Sequence, residues 1–227
     1  MYVVSTPIGN LGDITYRSVE MLRQVSLIAA EDTRRTRVLL NHYQVNTPLS
    51  SYNSYNKTRK GPELIKKINQ GADIALVSDA GTPGISDPLY HLVQLALDQK
   101  VDVISIPGPS AVLSALTVSG LPMDRFRFEG FLPRKKRRKK TIKELADHSE
   151  TVVLFESPRR IEKTLHELRE AFGNRPAALT RELTKMYEEV LRGGLDDLCK
   201  ASQGRKWKGE ITLVLSGNPS KRKIKET

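Results

Sequence analysis

Little in this chain can cross-link, coordinate a metal or span a membrane. Its 227 residues include one cysteine, Cys199, so no internal disulfide can form and nothing points to an oxidising compartment. No apolar run approaches the roughly 18 residues needed to cross a bilayer. The opening Met1-Tyr2-Val3-Val4-Ser5 has neither a basic segment nor a long apolar stretch, so no signal peptide is expected. The histidines His42, His91, His148 and His166 are scattered without ligand spacing, and no metal site is expected. The chain also lacks G-x-G-x-x-G, G-x-x-x-x-G-K-[ST] and G-x-S-x-G, which disfavours a dinucleotide site, a phosphate-cradling loop and acyl transfer. These absences lead to the expectation of a cytoplasmic protein with no metal and no membrane association.

What the chain has in excess is positive charge. Lysine and arginine number 37 against 26 acidic residues, a formal net charge of +11 at a sequence pI near 9.8. Such an excess favours polyanionic partners. Hydrophobic residues at 38% and charged residues at 28% fit a globular chain.

The first half alternates short apolar runs with amphipathic stretches. Tyr2–Ser5, Leu27–Ala30, Ile74–Ser78 and Val101–Ile106 read as buried strands, with a weaker one at Leu49–Tyr52. Thr15–Gln24, Thr33–His42, Pro62–Gln70 and the stretch around Leu92–Leu97 read as helices. This alternation predicts right-handed crossovers and a mostly parallel sheet. The second half differs in texture. Strands are expected at Phe126–Phe131, Thr151–Phe155, Ala177–Arg181 and Glu210–Ser216, helices at Ile161–Phe172 and Leu195–Ala201, and another strand at Tyr187–Leu191 entering a turn at Gly193-Gly194. A domain boundary is expected near residues 115–123, dividing the chain into 1–117 and 118–227.

Four of the early strands end in clusters of small and polar residues, where open α/β sheets place their ligands. The clusters are Ser5–Asp13, Ala30–Thr36, Ser78–Pro88 and Ile106–Ala111. Asp32 or Thr33 could equally be a helix cap, and a Pro-Gly turn after one strand is ordinary loop chemistry. Four such clusters on one sheet edge describe a pocket suited to a polar small molecule held by main-chain groups. Further on comes Arg134-Lys135-Lys136-Arg137-Arg138-Lys139-Lys140, seven consecutive basic residues. Like charges side by side repel, so the run reads as a site for a polyanion, which phosphates would reward through counterion release, the rival readings being a solvated face and a nuclear localisation signal. Arg159-Arg160 and Lys221-Arg222-Lys223 add to the same field.

The strings Ser5-Thr6-Pro7-Ile8-Gly9-Asn10-Leu11, Ala30-Glu31-Asp32-Thr33-Arg34, Ser78–Pro88 and Ile106–Ala111 resemble the tetrapyrrole methylase family. Phe128-Glu129-Gly130-Phe131-Leu132-Pro133, Phe155-Glu156-Ser157-Pro158, Arg181-Glu182-Leu183-Thr184-Lys185 and Lys208-Gly209-Glu210 extend the likeness over residues 2–217. It is strongest to the branch that methylates small-subunit ribosomal RNA. Arg159, Tyr187 and Leu89 stand where that branch is expected to carry histidine, histidine and glycine, and an extra C-terminal segment of longer relatives is expected to be missing.

The resemblance implies an α/β fold of two α/β domains with a ligand cleft between them, forming a homodimer that uses S-adenosylmethionine. It implies 2′-O-methylation of a decoding-centre cytidine in 16S rRNA, with the small ribosomal subunit as partner. The implied cofactor residues are Ile8, Asp79, Gly81, Thr82, Pro83, Gly84, Ile85, Ser110, Ala111, Phe155, Glu156, Thr180 and Arg181. Glu182 and Lys185 are the catalytic candidates, with an ordinary ion pair as the rival reading and Glu31 and Asp32 as second choices. Candidate RNA contacts are Arg34, Arg35 and the run Arg134, Lys135, Lys136, Arg137, Arg138, Lys139 and Lys140. A tetrapyrrole-type small-molecule methylase and a non-catalytic RNA-binding assembly factor remain as alternatives.

Overall fold

Parallel strands buried on both faces need long apolar crossovers, and the first half of the chain supplies them. The computed structural model describes residues 1–85 and 89–221, in two units, Met1–Ser110 and Ala111–Thr227. The sequence readings on Ser86, Asp87, Pro88, Arg222 and Lys223 therefore lie outside the described residues.

The first unit runs β1 (Tyr2–Val4), α1 (Tyr16–Gln24), β2 (Leu27–Ala30), α2 (Thr33–His42), β3 (Leu49–Ser51), α3 (Lys57–Asn69), β4 (Ile74–Val77), α4 (Tyr90–Asp98) and β5 (Ile104–Ile106). The sheet order is β3-β2-β4-β1-β5, and every pairing is parallel. Val4, Leu22, Ile28, Val77 and Ile106 belong to one apolar cluster, while Leu64, Ile74, Leu76, Leu92 and Ala96 belong to another. Helix starts follow local chemistry. Thr15 caps α1 by accepting from the Ser18 N–H, and Asp32 caps α2 by accepting from the Arg34 N–H.

One helix begins earlier than its sequence suggests. Pro62 predicts a start at position 62, yet α3 opens at Lys57 and carries the proline inside it. The preceding turn fixes the early start. Asn53 N–H donates to Asn56 Oδ1 at 2.9 Å, Asn56 Nδ2 donates to the Ser51 carbonyl at 3.1 Å, and Lys57 N–H already closes on the Asn53 carbonyl.

The second unit contains α5 (Ala111–Ser119), β6 (Phe126–Phe131), α6 (Arg138–Ala146), β7 (Thr151–Glu156), α7 (Ile161–Phe172), β8 (Pro176–Arg181), β9 (Glu189–Gly194), α8 (Leu195–Ser202) and β10 (Ile211–Leu215). Its order is β6-β7-β10-β8-β9; β6 and β7 pair parallel and the other pairs are antiparallel. The units divide between Ser110 and Ala111, ahead of the expected 117/118 boundary. The reason is α5, which buries Val112, Ala115 and Leu116 and packs against β8, β9 and β10.

Gly193 and Gly194 do not turn the chain after a strand; they are its last two residues, paired with Ala177 and Pro176. Space explains them. A Cβ on Gly193 would meet the Asp197 side chain at 3.0 Å, and the Gly194 N–H donates to Asp197 Oδ2 at 3.0 Å. Glycine lets the acidic first turn of α8 fold back over the strand end.

Candidate functional site

At the C-terminal edge of the first sheet, β1 and β4 lie side by side, but their chains leave in opposite directions. β1 leads to β2 beyond β4, whereas β4 leads to β5 beyond β1. Such a switch point opens a crevice where loops from neighbouring strands diverge. The loops are tied there by short contacts. Thr6 and Gly81 form an isolated antiparallel bridge, with N–H···O distances of 2.9 and 3.0 Å. Ser5 Oγ lies 3.0 Å from Thr82 Oγ1, which donates to the Pro109 carbonyl at 3.4 Å. A Cβ added to Gly81 would meet Ile8 Cγ2 at 3.4 Å, and its φ of +77° already favours glycine. Thus the loops after β1, β4 and β5 form one braced surface made largely of backbone, with Gly84 and Ile85 exposed at its rim.

Asp79, two residues before Gly81, turns its carboxylate toward the loop after β2. Its Oδ1 accepts from the Asp32 N–H at 2.9 Å, and its Oδ2 lies 3.5 Å from Arg35 Nη1. It lines a depression of about 360 Å³, open mouth included, with Arg35, Ser78, Leu11, Pro7 and Val38 among the other lining residues. Asp32 is occupied as a cap and holds Arg34 at 2.6 Å. Hydrogen bonds from the Arg34 side chain and backbone pull the Asp32 pKa down to about 2, so it is no proton acceptor near neutrality.

In the second unit, strand register gathers four of the expected residues. Thr212 pairs with Phe155 on one side and Thr180 on the other, while Ile211 pairs with Glu156 and Arg181. The two motifs, far apart in sequence, form adjacent rows across β7, β10 and β8. Their side chains are differently engaged. Phe155 packs edge-on to Phe128 with centroids 4.9 Å apart, and Thr180 is buried with its hydroxyl on the Thr212 carbonyl at 3.1 Å. Arg181 pairs with Glu189 at 3.1 Å.

Glu156 is fully committed to the interior. It accepts from Thr164 at 2.7 Å and from the Ser157 N–H at 2.6 Å, and it pairs with Arg160 at 2.6 Å and Arg138 at 3.7 Å. Arg138 corrects the reading of the basic run as wholly an RNA clamp. It is 7% exposed and bridges Glu167 at 2.6 Å, Thr164 at 2.6 Å and Glu156. The helical period of α6 turns this one position inward while Arg134, Lys135, Lys136, Arg137, Lys139 and Lys140 stay exposed.

Glu182 and Lys185 do meet. Lys185 Nζ donates to Glu182 Oε1 at 2.8 Å and to Glu210 Oε2 at 3.0 Å, and the Glu210 N–H also donates to Glu182 Oε1 at 2.9 Å. Burial opposes charge on both groups. The mutual hydrogen bonds win, so the lysine pKa is raised and the glutamate pKa lowered. Lys185 is therefore a cation in this arrangement and not a base. The turn is strained: Glu182 and Thr184 have φ of +50° and +67° without being glycine, a conformation that costs energy and often marks functional loops. Glu210 completes the cluster. The sequence offered it only as the end of Lys208-Gly209-Glu210, and no local pattern pairs it with a residue 28 positions earlier.

Among the described residues, no group of three or more His, Cys, Asp or Glu side chains is placed to hold a metal, and no helix is long and apolar enough to cross a membrane.

The family model of the Tetrapyrrole (Corrin/Porphyrin) Methylases matches residues 1–199. The chain is 46% identical over 217 residues to Ribosomal RNA small subunit methyltransferase I of Thermotoga maritima, covering 96% of this chain and 98% of that one. It is 48% identical over 219 residues to the protein of the same name from Synechocystis, covering 96% and 78%. Among solved structures, the cobalamin biosynthetic enzyme cobalt precorrin-4 methyltransferase superposes with a TM-score of 0.71 at 17% identity, covering 95% of this chain and 93% of the other. Uroporphyrin-III C-methyltransferase from Thermus thermophilus, complexed with S-adenyl homocysteine, gives 0.65 at 15% identity, covering 95% and 96%. At those identities the structures share the fold, and sequence and fold together place this chain in the tetrapyrrole methylase family, among relatives named Ribosomal RNA small subunit methyltransferase I.

Proposed function

We propose that this chain methylates small-subunit ribosomal RNA with S-adenosylmethionine, at the ribose 2′-hydroxyl of a decoding-centre cytidine in 16S rRNA. The observation that carries the proposal is the identity of 46–48% to relatives of that name across 96% of the chain. The exposed cations of Arg134–Lys140 support a polyanionic substrate over a tetrapyrrole, because phosphates reward such a run through counterion release. Arg34 and Arg35 are further candidates for phosphate contact, both exposed on the first turn of α2. The resemblance also supports a cytoplasmic homodimer.

The braced loops fit the cofactor in chemical type. Ile8 and the turn Gly81–Ile85 present backbone and small side chains at a strand-end crevice, as a polar small molecule requires. Ser110 and Ala111 follow the loop after β5. Phe155, Glu156, Thr180 and Arg181 remain candidates as the closing residues of β7 and β8, although the Glu156 carboxylate and the Thr180 hydroxyl are spent internally. Asp79 is left out of the set because its carboxylate faces Arg35 and the Asp32 N–H.

Bound S-adenosylmethionine supplies an electrophilic methyl group on a sulfonium. Transfer of that methyl group to the ribose oxygen would release S-adenosylhomocysteine, with the hydroxyl proton leaving to solvent. Alignment of the two reactants is the main contribution expected of the protein, with effective molarities of about 10⁵ M or more. Lys185 is suited to hold a phosphate or a developing negative charge, with Glu182 and Glu210 fixing its position. Incubating the protein with labelled S-adenosylmethionine and, in parallel, small subunits, free rRNA and uroporphyrinogen tests the reading. Label is expected in 2′-O-methylcytidine from the small subunit. Label in uroporphyrinogen alone would establish the small-molecule alternative, and label in none of the three the non-catalytic one.

A further inference from the structure

We infer that the depression beside the β1–β4 switch point is a pocket for a single pyrimidine base bearing an exocyclic amino group, the base of the cytidine whose ribose is modified. The inference rests on the proposed reaction for the identity of the nucleoside, and on the pocket for its recognition.

The pocket lies wholly within the first unit and combines three chemistries. Asp79 supplies a carboxylate, Arg35 supplies guanidinium donors, and Pro7, Leu11 and Val38 supply aliphatic walls. The carboxylate is held from two sides, by the Asp32 N–H at 2.9 Å on Oδ1 and by Arg35 at 3.5 Å on Oδ2. Two carboxylate oxygens offer about four lone-pair directions, so these partners leave capacity for an incoming amino N–H. A carboxylate is the side-chain group that accepts from the cytosine amino group. Arg35 stands beside it as a donor toward the ring nitrogen and carbonyl that neighbour that amino group in cytosine. Val38 is 61% exposed despite being apolar, and a flat ring seated between it and Pro7 would cover it.

Selectivity follows from the carboxylate. Uracil would turn a carbonyl oxygen toward Asp79, placing acceptor against acceptor and leaving both unsatisfied. Sites that hydrogen-bond one partner discriminate strongly against an analogue lacking the group. Adenine also carries an amino group beside a ring nitrogen, but it has a C–H where cytosine has its carbonyl, so one Arg35 donor would find no acceptor.

The test is titration of the full chain with cytidine, uridine and adenosine 5′-monophosphates, read by NMR shift changes, with and without S-adenosylhomocysteine. Cytidine monophosphate should bind saturably and by roughly tenfold or more over the other two. Asp79→Asn keeps an acceptor for the Asp32 N–H and should bring the cytidine-to-uridine ratio to about one or below. Val38→Asp, at an exposed position, should weaken cytidine monophosphate binding without altering the fold. Equal binding of cytidine and uridine monophosphates, no saturable binding, or an unchanged ratio in Asp79→Asn would each overturn the pocket. So would displacement of cytidine monophosphate by S-adenosylhomocysteine, which would give the depression to the cofactor. Failure of subunit methylation would sink the reaction while leaving this nucleotide selectivity to be read independently.

Discussion

Seven adjacent cations share a charge but not a role. Arg138 neutralises Glu156 and Glu167 in the second unit, and its loss would leave the buried Glu156 to Arg160 alone and the partly exposed Glu167 to Lys163. Arg138→Met should lower unfolding free energy by about 3 kcal/mol, the low end for breaking a buried pair, because Arg160 still faces Glu156. Lys139→Met, one residue along and exposed, should change it by no more than about 0.5 kcal/mol. Urea unfolding of both variants compares them, and equal stabilities would show that the buried network contributes nothing. At the strained turn, Lys185→Met should lower kcat and kcat/KM together while cofactor affinity by calorimetry holds, as expected for an interaction realised in the transition state. Glu182→Gln should do the same more mildly, since Glu210 continues to pair with Lys185. Near-normal turnover in both would reduce the cluster to a structural ion pair.

Whole elements respond through their tethers. β8 and β9 are tied, at the end where the chain turns from one to the other, by Glu189, which takes Arg205 at 2.9 Å on Oε1 and Arg181 at 3.1 Å on Oε2. The Arg205 hydrogen bonds above all depress its pKa below the ordinary 4.5, against the opposing effect of burial. A depressed carboxylate stabilises the fold above its unfolded value and loses that contribution as pH falls through the lower folded value. Glu189→Gln should therefore cost about 1 kcal/mol at neutral pH, after allowance for solvent screening. The difference from wild type should shrink as pH falls below 4.5; thermal melts across pH 3–7 read it. On the first sheet, Gly84 has a φ of +92° with open space around its missing Cβ. Gly84→Val should strain the loop and weaken S-adenosylmethionine binding while the unit remains folded. Wild-type affinity by calorimetry in a folded variant would remove this turn from the cofactor site.

The molecule as a whole is a polycation, and six of its exposed cations lie just before and at the start of α6. Replacing Arg134, Lys135, Lys136 and Arg137 by serine, with Arg138 kept, should flatten the slope of log K against log salt for small-subunit binding by roughly three, at about 0.7 to 0.9 per phosphate contact. Melting temperature should hold or rise slightly as self-repulsion is relieved, and cofactor affinity should stay the same. An unchanged slope would make the run a solvated face and shift the search for RNA contacts to Arg34, Arg35 and Arg37.

Local rules settled much of the architecture. β2, α2, β6 and α7 occur at the residues their apolar periodicity marks, because an amphipathic helix or a buried strand writes its own spacing into the chain. The alternation of the first half likewise required a parallel sheet, with its loops of small and polar residues at one edge. The sequence also contained every motif that carries the family resemblance. Only tertiary structure decided which of those residues face inward and which faraway partners they meet. Arg138 is indistinguishable from its neighbours until α6 packs against α7. Glu182 has no marked link to Glu210 until β8 and β10 pair, and Asp79 gains its alignment with Arg35 only when β2 and β4 come side by side. Burial and long-range pairing are properties of the assembled sheets, and no window of neighbouring residues contains them.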